Sequence, residues 1–242
     1  MRYLTFFLLA VITLTNCKRE VPVDKVLKNL TFSKPEISAD GQSTVSVSVE
    51  VSNKSSDDRR TVIFSVSSGV FTASGNNKYT AKAEYESGIL IAKATLRVST
   101  KPGYLVVSVK PEFDSPIKEF VVTDSIPAIK SVPFSIKLGA SAFGIASNHL
   151  NEVFITGKLL NASGKFVSEG YNVLFEDSAL TMAAKGQFRE LNTTTADSSA
   201  SSAYYSAFAH PIGTQIKIRG TLLDENGNKT NITDAILLTV NQ

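Results

Sequence analysis

The stretch Thr44-Val45-Ser46-Val47-Ser48-Val49-Glu50-Val51 alternates without a break between apolar and polar residues. In an extended chain successive side chains point to opposite faces, so the four valines line one face and the polar groups the other. A helix would scatter the same valines around its circumference. A strand of this kind commits its neighbours, because it buries an apolar face only by pairing laterally and packing against a second layer. Further β-branched or aromatic runs follow at Thr61 to Val66, Lys78 to Glu84, Ile89 to Val98, Tyr104 to Lys110 and Ile117 to Val122. Turn-forming stretches such as Ser52 to Asp58, Ser74-Gly75-Asn76-Asn77 and Lys101-Pro102-Gly103 divide them. A turn roughly every ten residues predicts an antiparallel β-sandwich.

Asp124-Ser125-Ile126-Pro127-Ala128 interrupts this rhythm, and a second series begins at Phe134. It runs through Phe134 to Leu138, Glu152 to Leu160, Tyr171 to Phe175, Gln187 to Leu191, Tyr204 to Ala209, Gln215 to Leu223 and Ala235 to Val240. Asn161-Ala162-Ser163-Gly164 and Asp224-Glu225-Asn226-Gly227 have the composition of hairpin turns. No stretch after the leader sustains a helical apolar period. The expectation is an all-β chain of two sandwiches, residues 25–124 and 131–242, joined by a linker at 125–130.

The halves echo one another. Val62-Ile63-Phe64 precedes Gly69-Val70-Phe71, and Val173-Leu174-Phe175 precedes Gly186-Gln187-Phe188, with six extra residues in the second copy. Together with the turn Ala39-Asp40-Gly41 leading into the alternating strand, this order resembles bacterial Ig-like domains of the invasin and intimin type. The resemblance covers roughly Lys25 to Thr123 and, in outline, Ser131 to Gln242. It implies tandem Ig-like antiparallel β-sandwiches. The first half departs from the family in having Asn53-Lys54-Ser55-Ser56-Asp57-Asp58 where a glycine-containing hairpin is usual.

The N-terminus has the parts of an export signal: Arg2, an apolar centre from Tyr3 to Leu14, and a polar exit through Thr15 and Asn16. About a dozen apolar residues fall short of the roughly 20 that a spanning helix needs. Leu14-Thr15-Asn16-Cys17 resembles the bacterial lipoprotein signal, although Asn16 stands where that family has a small residue. The resemblance implies removal of residues 1–16 as a signal peptide, lipidation of Cys17, and a membrane attachment through that lipid. Residues 17–24 then read as a solvated tether, and the location as the bacterial outer membrane, facing the periplasm or the cell surface. Cys17 is the only cysteine, so no intramolecular disulfide is available to it.

Lysine and arginine total 25, one of them Arg2, against 22 aspartates and glutamates. A body so nearly neutral favours neither nucleic acid nor acidic lipid, since either calls for a clustered basic face. Catalytic signatures are equally sparse. Two histidines, His149 and His210, read as surface or loop residues rather than metal ligands. No G-x-S-x-G elbow occurs. Asp57-Asp58 is neutralised by Arg59-Arg60, and Asp224 to Asn228 starts like a calcium loop but lacks glycine at the sixth place and glutamate at the twelfth. No catalytic residue, metal or cofactor is expected.

Asn192 to Tyr205 is rich in Ser and Thr and reads as a mobile loop or polar edge strand. Tyr204 and Tyr205 are the candidate ligand-binding residues, because tyrosine among small polar neighbours makes an adaptable contact surface. One of the pair points inward if a strand passes through them. The absence of tryptophan lowers the case for a glycan platform. These features point to a non-enzymatic envelope lipoprotein presenting Ig-like domains for adhesion or protein–protein interaction, with strand edges open to β-augmentation. The alternative is an accessory ligand- or glycan-binding subunit of an outer-membrane uptake system.

Overall fold

The computed structural model describes residues 21–113, 120–148, 150–179, 186–192, 199–207 and 210–241. The first module comprises β1 (Leu27–Phe32), β2 (Ile37–Ala39), β3 (Thr44–Val51), β4 (Thr61–Val66), β5 (Val70–Phe71), β6 (Lys78–Lys82), β7 (Glu84–Glu86), β8 (Ile89–Arg97), β9 (Gly103–Pro111) and β10 (Val122–Lys130). One sheet has the order β1-β3-β8-β5, with β7 also on β8, and the other the order β2-β10-β9-β4-β6. The alternating segment is β3, and its four valines are buried. Register sets Val45, Val47, Val49 and Val51 beside Leu96, Ala94, Ala92 and Leu90 of β8. Val62, Phe64, Leu105, Val107, Val109 and Ile126 fill the core from the other sheet. Each large aliphatic or aromatic side chain so buried contributes about 1.5–3 kcal/mol.

The second module repeats the plan with β11 (Ser135–Ala140), β12 (Gly144–Ala146), β13 (Val153–Leu160), β14 (Val173–Ala179), β15 (Gln187–Asn192), β16 (Ala200–Ser206), β17 (Gln215–Leu223) and β18 (Lys229–Asn241). Its sheets run β11-β13-β16-β15 and β12-β18-β17-β14. Each module has its own apolar core, one drawn from Val26 to Ala128 and the other from Ile136 to Val240. Both are Ig-like sandwiches, since β1-β3-β8-β5 packs on a sheet containing β10-β9-β4, and β11-β13-β16-β15 on one containing β18-β17-β14. Pairing is antiparallel except that the short second strand of each module lies parallel to the last, β2 on β10 and β12 on β18.

The sequence echo is structural. V-x-F lies in β4 and β14, while G-x-F begins β5 and β15. A Cβ on Gly69 would sit 2.5 Å from the Arg97 carbonyl oxygen, and one on Gly186 would sit 2.4 Å from that of Ser206. Only glycine lets the chain approach the neighbouring strand so closely. The phenylalanines then meet across the layers, Phe64 with Phe71 at 6.0 Å and Phe175 with Phe188 at 6.2 Å between ring centroids.

Several expectations change. The linker expected at 125–130 is strand, the greater part of β10; of the strand expected at 117–122, residues 117–119 lie outside the described residues, and of the rest only Val122 is in a strand. Ile126 and Ala128 face the core from β10, so burial draws the segment into the sheet. Pro127 is tolerated because β2 pairs only with residues 128–130, leaving one flank open there. The connection between modules is Ser131 to Phe134. Of residues 17–24, expected as a solvated tether, 17–20 lie outside the described residues, and Val21 packs against the first core, its carbonyl accepting a hydrogen bond from Arg59. Finally, of the Ser-rich stretch expected as a loop or polar edge strand, residues 193–198 lie outside the described residues, while 200–205 belong to β16, a central strand between β13 and β15. Ser199 and Ser201 are buried there because their hydroxyls are satisfied, by both backbone groups of Val167 and by the Asn192 carbonyl.

The chain enters each sandwich at one end and leaves it at the other. Leu27 pairs with Val51 at the end of β3, whereas β10 finishes beside Ala39 next to the start of β3. The second module sits on that exit end. The Ser168 hydroxyl donates to the Ala39 carbonyl at 2.9 Å and accepts from the Ser131 amide at 2.8 Å. The Glu169 amide donates to the Thr100 carbonyl at 3.0 Å, and Lys165 reaches the Ser43 hydroxyl at 3.0 Å and Asp40 at 3.9 Å. Asp40 is only 1% exposed, and its carboxylate also accepts the amides of Gln42 and Ser43.

Candidate functional site

The strand through the tyrosine pair separates its members. Tyr205 is fully buried, so it is no ligand contact, correcting the expectation for that residue. Its hydroxyl donates to Asp177 Oδ2 at 2.8 Å, and the same carboxylate oxygen accepts the Gly186 amide at 2.6 Å. Burial first, then the bond to Asp177, pushes the Tyr205 phenol far above the ordinary tyrosine range.

Tyr204 faces outward from β16. Phe154 lies directly opposite on β13, with ring centroids 5.1 Å apart at 51°. Arg189, opposite on β15, places its guanidinium 5.8 Å from the Tyr204 ring centroid. Two of its nitrogens donate to the two carboxylate oxygens of Glu152. That bond holds the Glu152 carboxyl below the usual carboxylate range. Leu150, Glu152, Gln187, Arg189 and Ser206 border a depression of about 360 Å³ at the edge of this face. A rigid aromatic pair flanked by an oriented guanidinium offers apolar area, a cation–π surface and a directed charge. Such groups anchor protein interfaces.

A second concavity, of about 770 Å³, lies where the connection meets the second module, lined by Lys130, Val132, Pro133, Tyr171, Leu222 and Ile232 among others. Lys130 Nζ donates to Glu225 at 2.9 Å and stands 5.0 Å from the Tyr171 ring centroid. The bond to Glu225 raises the Lys130 ammonium pKa, and burial raises that of the Tyr171 phenol. The cation that would attract an anionic ligand is thus already paired. Asp224 is likewise engaged: its carboxylate accepts the Asn226 and Asn228 amides, and the Asn228 amide bond lowers its pKa. It closes a turn between β17 and β18 rather than offering oxygens to a cation.

His210, expected at the surface, is 1% exposed, and neither ring nitrogen has a hydrogen-bond partner. Its backbone carbonyl accepts from the Ser147 hydroxyl, which draws the loop inward. Cys17 and His149 lie outside the described residues. Among the described residues no cluster of three or more His, Cys, Asp or Glu is placed to hold a metal ion. Sequence reasoning singled out Tyr204 but missed Phe154, Arg189 and Glu152. Phe154 and Arg189 belong to two other strands, and Glu152 just precedes the first of them, so only pairing register brings them to Tyr204.

No family model and no curated protein matches the sequence. Solved structures do match in shape. Invasin, described as a bacterial integrin-binding protein, superposes with a TM-score of 0.50 at 17% identity over 88% of this chain and 39% of its own. The Yersinia pseudotuberculosis adhesin InvE has a TM-score of 0.43 at 17% identity, over 92% of this chain and 62% of its own. The D0-D1 domain of intimin has a TM-score of 0.35 at 15% identity, over 89% of this chain and 99% of its own. The likeness to invasin is one of fold, and this chain carries its tandem Ig-like β-sandwich architecture.

Proposed function

We propose that this protein is a non-enzymatic envelope lipoprotein that acts in adhesion or protein–protein interaction. In this reading residues 1–16 are a signal peptide, Cys17 carries the lipid, and the modules on either side of Ser131 are two domains of one extended arm. The lipid holds the arm on the outer membrane. The observation that carries the reading is the outward face of the second module, where Phe154, Tyr204 and Arg189 are held in place by strand pairing and by Glu152. Its aromatic and arginine content matches what protein interfaces use, whereas paired acids, a nucleophile with its base, or a metal cluster would mark catalysis. Invasin, an integrin-binding protein, supports a protein partner by analogy of fold only.

Two measurements test this. Mass spectrometry of the protein from cells is expected to find an acylated N-terminal Cys17 and no acylation in Cys17→Ala; an unmodified Cys17 in wild type removes the anchor. Binding of the full chain to immobilised cell-surface and matrix proteins is expected to weaken about tenfold or more in Tyr204→Ser and in Arg189→Glu. Binding confined to a glycan array, and unchanged in those variants, would instead favour the accessory glycan-binding subunit.

A further inference from the structure

The outer face of the sheet β11-β13-β16-β15 carries more than the aromatic pair. Strand register sets its outward residues in rows that cross the strands. One row places Phe154, Tyr204 and Arg189 side by side, and two rows away Lys137 of β11 lies directly opposite Lys158 of β13. The row between holds Gly139, Thr156 and Ser202 on the same three strands, so no long side chain stands there between the aromatic pair and the lysines. Phe154 and Lys158 are four residues apart on one strand, a span of about 13 Å.

Like charges directly opposite one another on antiparallel strands are destabilising. Both lysines are exposed, and among the described residues neither has an acidic partner. The Lys158 ammonium lies 4.5 Å from the Phe166 ring centroid, a contact that leaves its charge unneutralised. Asp234, the carboxylate that reaches β11, accepts the Leu138 amide at 2.9 Å and pairs with neither lysine. Because Leu138 turns its amide away from β13, Lys137 turns its own toward β13, and the lysines form a hydrogen-bonded pair of the ladder. The pair is therefore held in place by the backbone. A local conflict of this kind, kept without a compensating contact, is expected at functional sites.

We infer that this face receives an extended, acidic segment of a partner protein, which sets an apolar side chain on Phe154 and Tyr204 and a carboxylate between Lys137 and Lys158. The inference rests on the reading of the Tyr204 face as the binding face. An extended segment covers about 13 Å in four residues, so its acid and its apolar residue stand four positions apart and on the same side. A carboxylate seated there relieves the repulsion between the lysines as the complex forms. Charge at the aromatic end separates this occupant from others. Glu190 is exposed beside Arg189, and Glu152 already holds that guanidinium. A membrane of anionic lipid or a uniformly charged polysaccharide would press negative charge on those two acids as well as on the lysines. A protein segment carries its charge at one position only, and so meets the lysines without meeting the acids.

The test selects a random dodecapeptide library, displayed on phage, against the immobilised full chain. Enriched peptides are expected to carry Asp or Glu four positions from an aromatic or aliphatic residue. The double variant Lys137→Glu with Lys158→Glu is expected to enrich Lys or Arg at that place instead. A synthetic peptide from the first selection is expected to lose at least tenfold in affinity for the double variant, and as much when its own acid is replaced by the amide. Lys137→Glu alone sets opposite charges across the strands and is expected to raise the midpoint of thermal unfolding. A lowered midpoint would give the lysine pair a structural role and overturn the inference. Selection with no enrichment, or an acidic preference that is absent or survives the double reversal, overturns it as well. So does binding to phosphatidylglycerol vesicles that the double reversal abolishes, since the occupant would then be a lipid surface. If the acidic partner fails while Tyr204→Ser and Arg189→Glu still lose binding to surface proteins, the binding face stands without it; if those two variants change nothing in either assay, the reading of the face itself fails.

Discussion

The two modules share one strand plan but fill one corresponding pair of positions in opposite ways. Aligned through V-x-F and through the pairing of each G-x-F phenylalanine, Val66 and Leu96 of the first module correspond to Asp177 and Tyr205 of the second. The first module keeps this pair apolar and inside its core. The second places a carboxylate and a phenol there, bonded to each other and to the Gly186 amide. Its longer excursion between V-x-F and G-x-F supplies a reason. With six more residues before the returning strand, the Asp177–Gly186 bond fixes where β15 begins, a task that a shorter connection performs in the first module. The difference teaches that an Ig-like plan tolerates a buried polar pair where it pins a loop, provided every hydrogen bond is made.

The strongest way to break the equivalence is at the two glycines. Gly69→Ala and Gly186→Ala each push a Cβ into a backbone carbonyl, and each is expected to lower stability by about 2–4 kcal/mol in urea unfolding. A loss below about 1 kcal/mol at Gly186 would show that the second G-x-F start is not under the same constraint.

Next in size is the polar pair. Tyr205→Leu removes the donor to Asp177 and is expected to cost about 2–3 kcal/mol, while the double variant with Asp177→Val, copying the first module, recovers about 1 kcal/mol of that. Failure of the double variant to recover anything would give the Gly186 bond, rather than the tyrosine, as the reason for Asp177. The same site has a pH signature. A raised phenol pKa means that the folded state holds the proton more tightly, so this contribution is complete below about pH 10 and is lost as pH rises toward the folded value. The expected slope is about 1.4 kcal/mol per pH unit above pH 10, and it is absent from Tyr205→Leu.

The joint between modules comes next in the comparison. Ser168→Ala leaves the Ala39 carbonyl and the Ser131 amide without their bonds to the hydroxyl, and is expected to cost about 1–2 kcal/mol. Small-angle scattering would then show a wider spread of angles between the modules; an unchanged profile would place the joint's rigidity elsewhere. Lys165→Ala is expected to change stability by less than about 1 kcal/mol, because that side chain is largely solvated.

Fold was legible where burial imposes a period. Thr44 to Val51 and Thr61 to Val66 are strands with the bounds their patterns predict. The 117–130 region misled because proline and polar residues read as punctuation, while the core contacts of Ile126 and Ala128 decided for strand. The site was less legible for a similar reason. Tyr204 carried a sequence signal, yet its neighbours Phe154 and Arg189 are 50 and 15 positions away in the chain. Nothing in a linear pattern specifies which strands pair.

By itself the sequence determined an all-β chain in two series and the echo that relates them. Alternation with period two and glycine at two equivalent starts are local consequences of backbone geometry. Tertiary structure alone decided that Tyr205 turns inward to Asp177, that Phe154, Tyr204 and Arg189 share a face, and that the second module covers the exit end of the first. Those outcomes depend on register between strands and on packing between sheets, which join residues far apart in the chain and leave no periodic trace within it.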